Sequence, residues 1–233
     1  MVETACVSVT PPQPNFAPGP VLLLGAPGVG KGTQAKELMA LWKVPQISTG
    51  DLLRSNVARK TELGIFAKTL MDQGKLVPDA LVENMVAERL REPDTARGYI
   101  LDGFPRTILQ AAWLDRHLAD ASSVVAISIK VGYHQLLRRI TGRRNCPVCQ
   151  RIYNIYSHPP LVDGICDVDG ARLAQRADDS ESVFAERMRT YDAQTAPVLE
   201  HYRALGRFEE IDGEQPVEAV TQCVMAALAR LRK

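Results

Sequence analysis

The sequence predicts an α/β protein built on a parallel sheet with helices on both faces. Three observations point there. A short, wholly apolar stretch, Val21–Leu24, runs directly into a glycine-rich turn, Gly25–Gly32; a helical segment follows to about Trp42; and further β-prone stretches, Tyr99–Leu101, Val124–Ile129 and Phe208–Ile211, alternate with helical ones. A strand covered on both faces has no polar side to present, so it reads as an unbroken apolar run. Strands alternating with helices indicate a doubly wound sheet.

A chain of 233 residues can bury one sizeable core with insertions. Its 45% hydrophobic and 24% charged residues exclude disordered and fibrous classes. No apolar run approaches the roughly 20 residues that cross a bilayer. A net charge of +1 argues against a general nucleic-acid or membrane-surface binder, so any anion chemistry must come from local clusters of arginine. Residues 1–20 are proline-rich and contain neither Lys nor Arg. They lack the basic amphipathic helix of a mitochondrial presequence and the basic start of a secretory signal, and residues 1–19 read as a flexible tail.

Late in the chain, Phe184, Met188, Tyr191, Thr195, Val198, Tyr202 and Leu205 step by four and three, tracing one helix face with a kink expected near Pro197. A last helix opens at Pro216 and places Val217, Val220, Val224, Leu228 and Leu231 on its buried side. Two segments break the alternation. Ser48–Val77 reads as helical without a strand, and Arg143–Ala177 is rich in Cys, Pro, Gly and Asp with β-prone pieces such as Arg151–Ile155. Both read as insertions at the carboxyl edge of the sheet, where α/β proteins bind ligands.

Gly25-Ala26-Pro27-Gly28-Val29-Gly30-Lys31-Gly32-Thr33, between a strand and a helix, is a phosphate-binding loop in the setting that it needs. Its glycines let backbone N–H groups converge on phosphate oxygens, and the helix N-terminus adds partial positive charge. Lys31 would reach the β- and γ-phosphates. Gly32 follows the lysine and the hydroxyl comes one place later, at Thr33, so the usual magnesium role of a Ser or Thr directly after the lysine does not transfer.

The stretch Gly25 to Gln34 resembles that of adenylate kinases, and the resemblance covers nearly the whole chain after residue 20. Ser48-Thr49-Gly50-Asp51 followed by Arg54, and Asp102-Gly103-Phe104-Pro105-Arg106-Thr107 followed by Gln110, are similar to that family's two other signatures. The resemblance implies a three-layer P-loop nucleoside monophosphate kinase fold. Its core would comprise residues 20–47, 78–141 and 180–233, with a helical AMP-binding insertion over 48–77 and a small β-rich zinc lid over 142–179. It implies reversible Mg-dependent phosphoryl transfer from ATP to AMP, giving two ADP, in a cytoplasmic monomer without nucleic-acid or membrane partners. AMP would meet Thr49, Arg54, Lys75, Leu76, Val77, Gly103, Phe104, Pro105, Arg106, Gln110, Arg176 and Arg187. ATP would meet Gly28, Val29, Gly30, Lys31, Gly32, Thr33, Arg139, Arg143, Ile152, Tyr153 and the backbone near Gln215. Lys31, Arg106, Arg139, Arg143, Arg176 and Arg187 would carry the transfer.

These residue types suit that chemistry on their own terms. A guanidinium grips phosphate oxygens two at a time, so Arg54 and Arg106 suit the AMP phosphate. A glutamine amide offers one donor and one acceptor, matching adenine's amino group and N1. Phosphoryl transfer needs charge neutralisation and alignment more than a covalent nucleophile. Arg187 falls between Phe184 and Tyr191 on the helix, so it points inward, where an unpaired charge is costly and an incoming phosphate chain would offset the cost. Asp51 and Asp102 are candidate Mg²⁺ partners through water, although Asp51 reads equally as the cap of the helix after it.

Three of the five cysteines cluster late in the chain, and Cys146-x₂-Cys149-x₁₆-Cys166-x₂-Asp169 has the two-knuckle spacing of a structural zinc site. Asp169 is the least settled ligand, with Asp163 and Asp167 nearby. All four positions being filled, the metal would be structural, substituting for burial in a small subdomain. The zinc-bearing lids of some adenylate kinases resemble this pattern. Cys6 reads as an exposed tail thiol and Cys223 as a core residue; His117, His134, His158 and His201 show no ligand spacing and read as surface or capping residues. The rival readings are a GTP-dependent AMP kinase, a UMP/CMP kinase, a silent nucleotide sensor and a zinc-knuckle nucleic-acid module. Against the last stand the near-neutral charge and the few aromatics of Arg143–Ala177.

Overall fold

The structure, a computed structural model, describes residues 19–118 and 124–232. The tail reading of residues 1–18, Cys6 included, falls outside them. Strands β1 (Val21–Leu24), β2 (Gln46–Ser48), β3 (Ile100–Asp102), β4 (Val125–Lys130) and β7 (Phe208–Asp212) form a parallel sheet in the order β2-β3-β1-β4-β7. The register sets Leu22 beside Leu101 on one side and Ala126 on the other.

Every residue of β1 is buried, as its apolar run requires, because successive side chains enter different cores. Val21 and Leu23 pack with Ala35, Leu38 and Trp42 of α1 (Lys31–Trp42) and Val220, Val224 and Leu228 of α9 (Val217–Leu231). Leu22 and Leu24 point the other way. They join Val82 and Val86 of α4 (Asp79–Leu90), Ala111 and Leu114 of α5 (Ile108–His117), and Val198 and Tyr202 of α8 (Ala196–Ala204). The result is three layers.

Strand β2, whose last residue, Ser48, opens the segment Ser48–Val77 that reads as helical, was not among the expected strands. It spans only three residues with one buried side chain, Ile47, too few to show a period. The late helical stripe is interrupted ahead of Pro197: α7 (Glu181–Thr190) passes through a π-turn over Tyr191–Thr195 before α8, whose first turn holds the proline. Two stripe positions are corrected. Leu205 is exposed where the chain leaves α8 for Gly206, and Val217, the first residue of α9, is exposed before that helix meets the sheet.

Two segments extend from the carboxyl edge of the sheet. Helices α2 (Thr49–Ala58) and α3 (Glu62–Asp72) form one, tied by Thr61, whose hydroxyl donates to Asn56 Oδ1 (2.8 Å) and accepts from Gly64 N (3.0 Å). The other follows α6 (Tyr133–Thr141): β5 (Arg143–Asn145) and β6 (Ile152–Asn154) pair antiparallel over a small core of Cys146, Tyr153 and Cys166. It lies close enough to α1 for Lys36 Nζ to donate to Gln150 O (3.4 Å).

Candidate active site

The phosphate loop leaves β1 through Gly25, whose φ of +125° favours glycine; a Cβ there would stand 2.4 Å from the carbonyl of Ile129. Gly30, left-handed at φ +107°, caps α1 without a side chain and leaves the first N–H groups of the helix facing the loop. Lys31 folds back over the loop, donating to Gly25 O (2.8 Å) and Ala26 O (3.0 Å). Burial lowers its ammonium to about 8, the Asp102 carboxylate opposes the shift, and Arg106, Arg187 and Arg143 add to it. Asp102, at the end of β3, accepts from Gln46 Nε2 (2.8 Å); burial raises its carboxyl although Lys31 lies close.

Across the cleft, Ser48 caps α2 by accepting from Asp51 N (3.2 Å). The helix therefore begins before Asp51, which is not its cap and sits in the first turn. Burial would raise the Asp51 carboxyl, but the charge and hydrogen bonds of Arg54 (2.6 Å) leave it below its ordinary value. Thr49 Oγ1 donates to Gly103 O (2.8 Å), and Arg106 Nε donates to the same carbonyl (2.8 Å). Burial, with Arg187 nearby, lowers Arg106 to about 10. Gln110, buried at 2% exposure, accepts at Oε1 from Arg106 N and donates from Nε2 to Asp79.

From the late helical region Arg187 donates to Asp178 Oδ2 (2.8 Å) and lies 3.8 Å from Asp179, so its inward position is met by carboxylates. Asp179, fully buried, also binds Arg143, whose Nε donates to Oδ2 at 2.8 Å. Burial and then the charges of Arg143 and Arg54 lower Arg176 to about 10. Arg139 donates to Val29 O (3.1 Å) and Gly213 O (2.8 Å), joining the phosphate loop to the turn before α9.

One cleft is thus lined by Lys31, Thr49, Arg54, Arg106, Gln110 and Arg187, with Gly103, Pro105 and Lys75–Val77 on its wall. Thr33 and Gln215 are exposed, and Phe104 is wholly buried in the core and does not line the cleft. The Tyr153 side chain is 1% exposed, and its hydroxyl lies 3.4 Å from Cys166 Sγ and accepts from Asp167 N (2.9 Å), so its backbone is the part open to a ligand. Its neighbour Ile152 is partly exposed. Sequence reasoning passed over Asp178 and Asp179, although an acidic pair directly after Arg176-Ala177 was a legible signal. It also passed over Gln46 and Asp79, for which nothing local pointed to a role.

The side chains of Cys146, Cys149, Cys166 and Asp169 bring one ligand atom each within 4.8 Å of one another. Cys149 and Cys166 sulfurs stand 3.5 Å apart, and Cys146 Sγ lies 3.1 Å from Asp169 Oδ2. Thiolates about 2.3 Å from a tetrahedral zinc stand about 3.8 Å apart, so the spacing suits that metal. The N–H groups of Val148 and Cys149 donate to Cys146 Sγ at 3.3 and 3.4 Å, stabilising a thiolate. Asp167 is turned away, accepting from Leu161 N (2.8 Å), and Asp163 does not join the cluster. Cys223 is partly buried against the core of β1 and α9. Of the histidines, His201 contacts Asp115 (2.9 Å) and the other three are exposed.

A family model described as adenylate kinase matches residues 23–207. An adenylate kinase of Nitrosococcus oceani is 47% identical over 214 residues, covering 91% of this chain and 99% of the relative. One from Lachnospira eligens is 46% identical over 210 residues (89% and 99%), and one from Methanocella arvoryzae 46% identical over 212 residues (90% and 98%).

Proposed function

Since this chain belongs to the adenylate kinase family, we propose that its cleft moves the terminal phosphoryl group of Mg·ATP to AMP, forming two ADP, and runs the reverse reaction with the same groups. The observation that carries this assignment of roles is the convergence of Lys31, Arg54, Arg106 and Arg187 on one cleft flanked by the phosphate loop and by α2. Cations gathered on both sides of a transfer point suit a substrate pair that brings phosphates from two directions.

On the donor side, the loop Gly28–Thr33 would cradle the ATP phosphates and Lys31 would turn from its carbonyl partners toward them. Arg139 and Arg143 would flank the chain, with Ile152, the Tyr153 backbone and the turn near Gln215 around the base. On the acceptor side, Arg54 and Arg106 would grip the AMP phosphate, and Gln110, with Lys75–Val77, would meet the adenine. Arg176 and Arg187 would bridge to the group in flight, Arg187 held ready by Asp178 and Asp179. Both nucleotides would thus be aligned with water displaced, which is most of what this chemistry asks of a protein.

Asp102 fits a Mg²⁺ site: it is a half-buried carboxylate close to Lys31, with one oxygen already oriented by Gln46. It would hold the ion through water, with Asp51 at the rim; Mg²⁺ supplies neutralisation of phosphate charge. One structural zinc on Cys146, Cys149, Cys166 and Asp169 would hold the lid together. We further read residues 48–77 as the AMP-binding segment, 142–179 as the lid and the remainder after residue 20 as the core, in a cytoplasmic monomer with no nucleic-acid or membrane partner. The +1 net charge argues against a general nucleic-acid or membrane-surface partner, and no helix among the described residues is long and apolar enough to cross a membrane. A coupled assay pairing AMP, UMP and CMP with ATP and GTP tests the function. Transfer should be fastest by far from ATP to AMP, and no transfer with any pair would overturn the reading.

A further inference from the structure

We propose that Asp79 fixes which base the acceptor site takes, by locking the amide of Gln110 in a single orientation. The inference rests on the reading that Gln110 meets the acceptor base. Gln110 lies on the cleft wall at 2% exposure. Its Oε1 accepts from Arg106 N at 2.7 Å, and its Nε2 donates to Asp79 Oδ1 at 2.8 Å.

The two ends of a glutamine amide differ little in shape, so what decides its orientation is the partners. Here both partners are single-minded: a backbone N–H only donates and an ionised carboxylate only accepts. A flipped amide would set N–H against N–H at one end and oxygen against a carboxylate at the other. Asp79 is itself held. Its Oδ2 accepts from Thr107 Oγ1 (2.9 Å), that hydroxyl accepts from Gln110 N (3.1 Å) as the cap of α5, and Asp79 occupies the first turn of α4, where the helix N-terminus favours negative charge.

With one lone pair and one N–H consumed internally, the amide keeps one acceptor and one donor for a ligand. In the locked orientation these suit a 6-aminopurine, which offers an amino donor and an N1 acceptor. A 6-oxopurine offers an N1–H donor and an O6 acceptor, the reverse, and would need the flipped amide that Asp79 and Arg106 N forbid. Asp79 is thus a positioning residue for base choice.

The test measures initial rates of the full chain with Mg·ATP and either AMP or IMP, comparing wild type with Asp79→Asn, Asp79→Ala, Asp79→Glu and Gln110→Ala. The readout is the AMP to IMP ratio of kcat/KM, which does not depend on how much of a preparation is folded. Loss of one charge-assisted hydrogen bond should narrow that ratio about tenfold in Asp79→Asn and Asp79→Ala, mainly through KM for AMP, with KM for ATP little changed. Asp79→Glu should return the ratio toward wild type. If Gln110→Ala narrows the ratio but the Asp79 variants stay within about twofold of wild type, the lock is overturned. A merely structural Asp79 would give that second pattern, slowing both acceptors alike. If Gln110→Ala leaves the ratio unchanged, the base is read elsewhere and the underlying assignment falls; if wild type does not phosphorylate AMP at all, the functional reading falls first.

Discussion

Replacing Lys31 by Met separates a charge held for a substrate from a charge that holds the fold. The ammonium is partly buried over the phosphate loop, with two carbonyls as its only hydrogen-bond partners among the described residues, and burial lowers it from 10.5 to about 8. At 1.36 kcal/mol for each pKa unit, keeping it charged in the nucleotide-free protein costs on the order of 3 kcal/mol. The sign follows from linkage. Below pH 8 both folded and unfolded chains carry the proton, and the folded one bears the full cost. Between pH 8 and 10.5 the unfolded chain binds more protons, so wild type gains stability as pH rises. Nucleotide-free Lys31→Met should therefore melt no lower than wild type at pH 7, and its relative advantage should shrink by pH 10. Adding Mg·ATP at pH 7 should raise the melting temperature of wild type and leave the variant nearly unmoved, while its turnover falls by roughly 10³ or more, on the scale of other charge-stabilising groups in phosphoryl transfer. Calorimetry without nucleotide decides the matter. A variant that melts several degrees lower at pH 7 would show the ammonium to be a structural strut and refute the reasoning.

Three further predictions follow from local geometry. Purified protein should contain about one zinc per chain, and chelation should expose residues 142–179 to proteolysis, because the lid core consists of little beyond Cys146, Tyr153 and Cys166; a metal-free protein with a protected lid would refute the zinc assignment. Gly64→Ala would place a Cβ 2.1 Å from Asn56 O, so it should destabilise α2 and α3 by about 1–3 kcal/mol and raise KM for AMP while sparing KM for ATP; unchanged constants and melting would contradict the packing. Asp179→Asn weakens the anchor shared by Arg143 and Arg187. Misplacing aligned groups by about an ångström lowers rates by up to roughly 10²-fold, so kcat should fall by that order with smaller changes in KM; a kcat within about twofold of wild type would remove Asp179 from the machinery.

How far the sequence reaches depends on whether a feature is written locally. Strand β1, the loop after it and α1 were legible because a wholly apolar run, positive-φ glycines and a helix follow one another without a gap. The cysteine spacing was legible for the same reason, and the structure chooses among three candidate aspartates by turning Asp167 toward Leu161 N. Strand β2 was not legible: three residues with one buried side chain carry no period, and the strand exists because β3 pairs with it. The direction of the Tyr153 ring was not legible for a related reason: it is set by Cys166 and Asp167, more than ten residues away, which only the fold brings alongside. Gln46 and Asp79 were invisible because their partners, Asp102 and Gln110, stand far away in the chain.

The cations named for the site, of which Lys31, Arg54, Arg106 and Arg187 line the cleft, fall into two groups by their partners. Arg54, Arg143 and Arg187 each meet an aspartate, so their charge is balanced whether or not a ligand is present. Lys31, Arg106, Arg139 and Arg176 form no ion pair among the described residues, and burial depresses each of them, as it does Arg187 in spite of Asp178. Carboxylates such as Asp102 near Lys31 and Arg106 offset only part of that cost, and a fold selected for stability alone would have little reason to gather partly desolvated charges without ion-pair partners. Their arrangement becomes favourable once polyanions arrive from both sides. The gain is greatest where negative charge is most concentrated, on a phosphoryl group between two nucleotides, so that binding energy is realised most fully in the transition state. In the function proposed above, the paired arginines would act as the fixed frame and the unpaired cations as the groups that meet incoming charge.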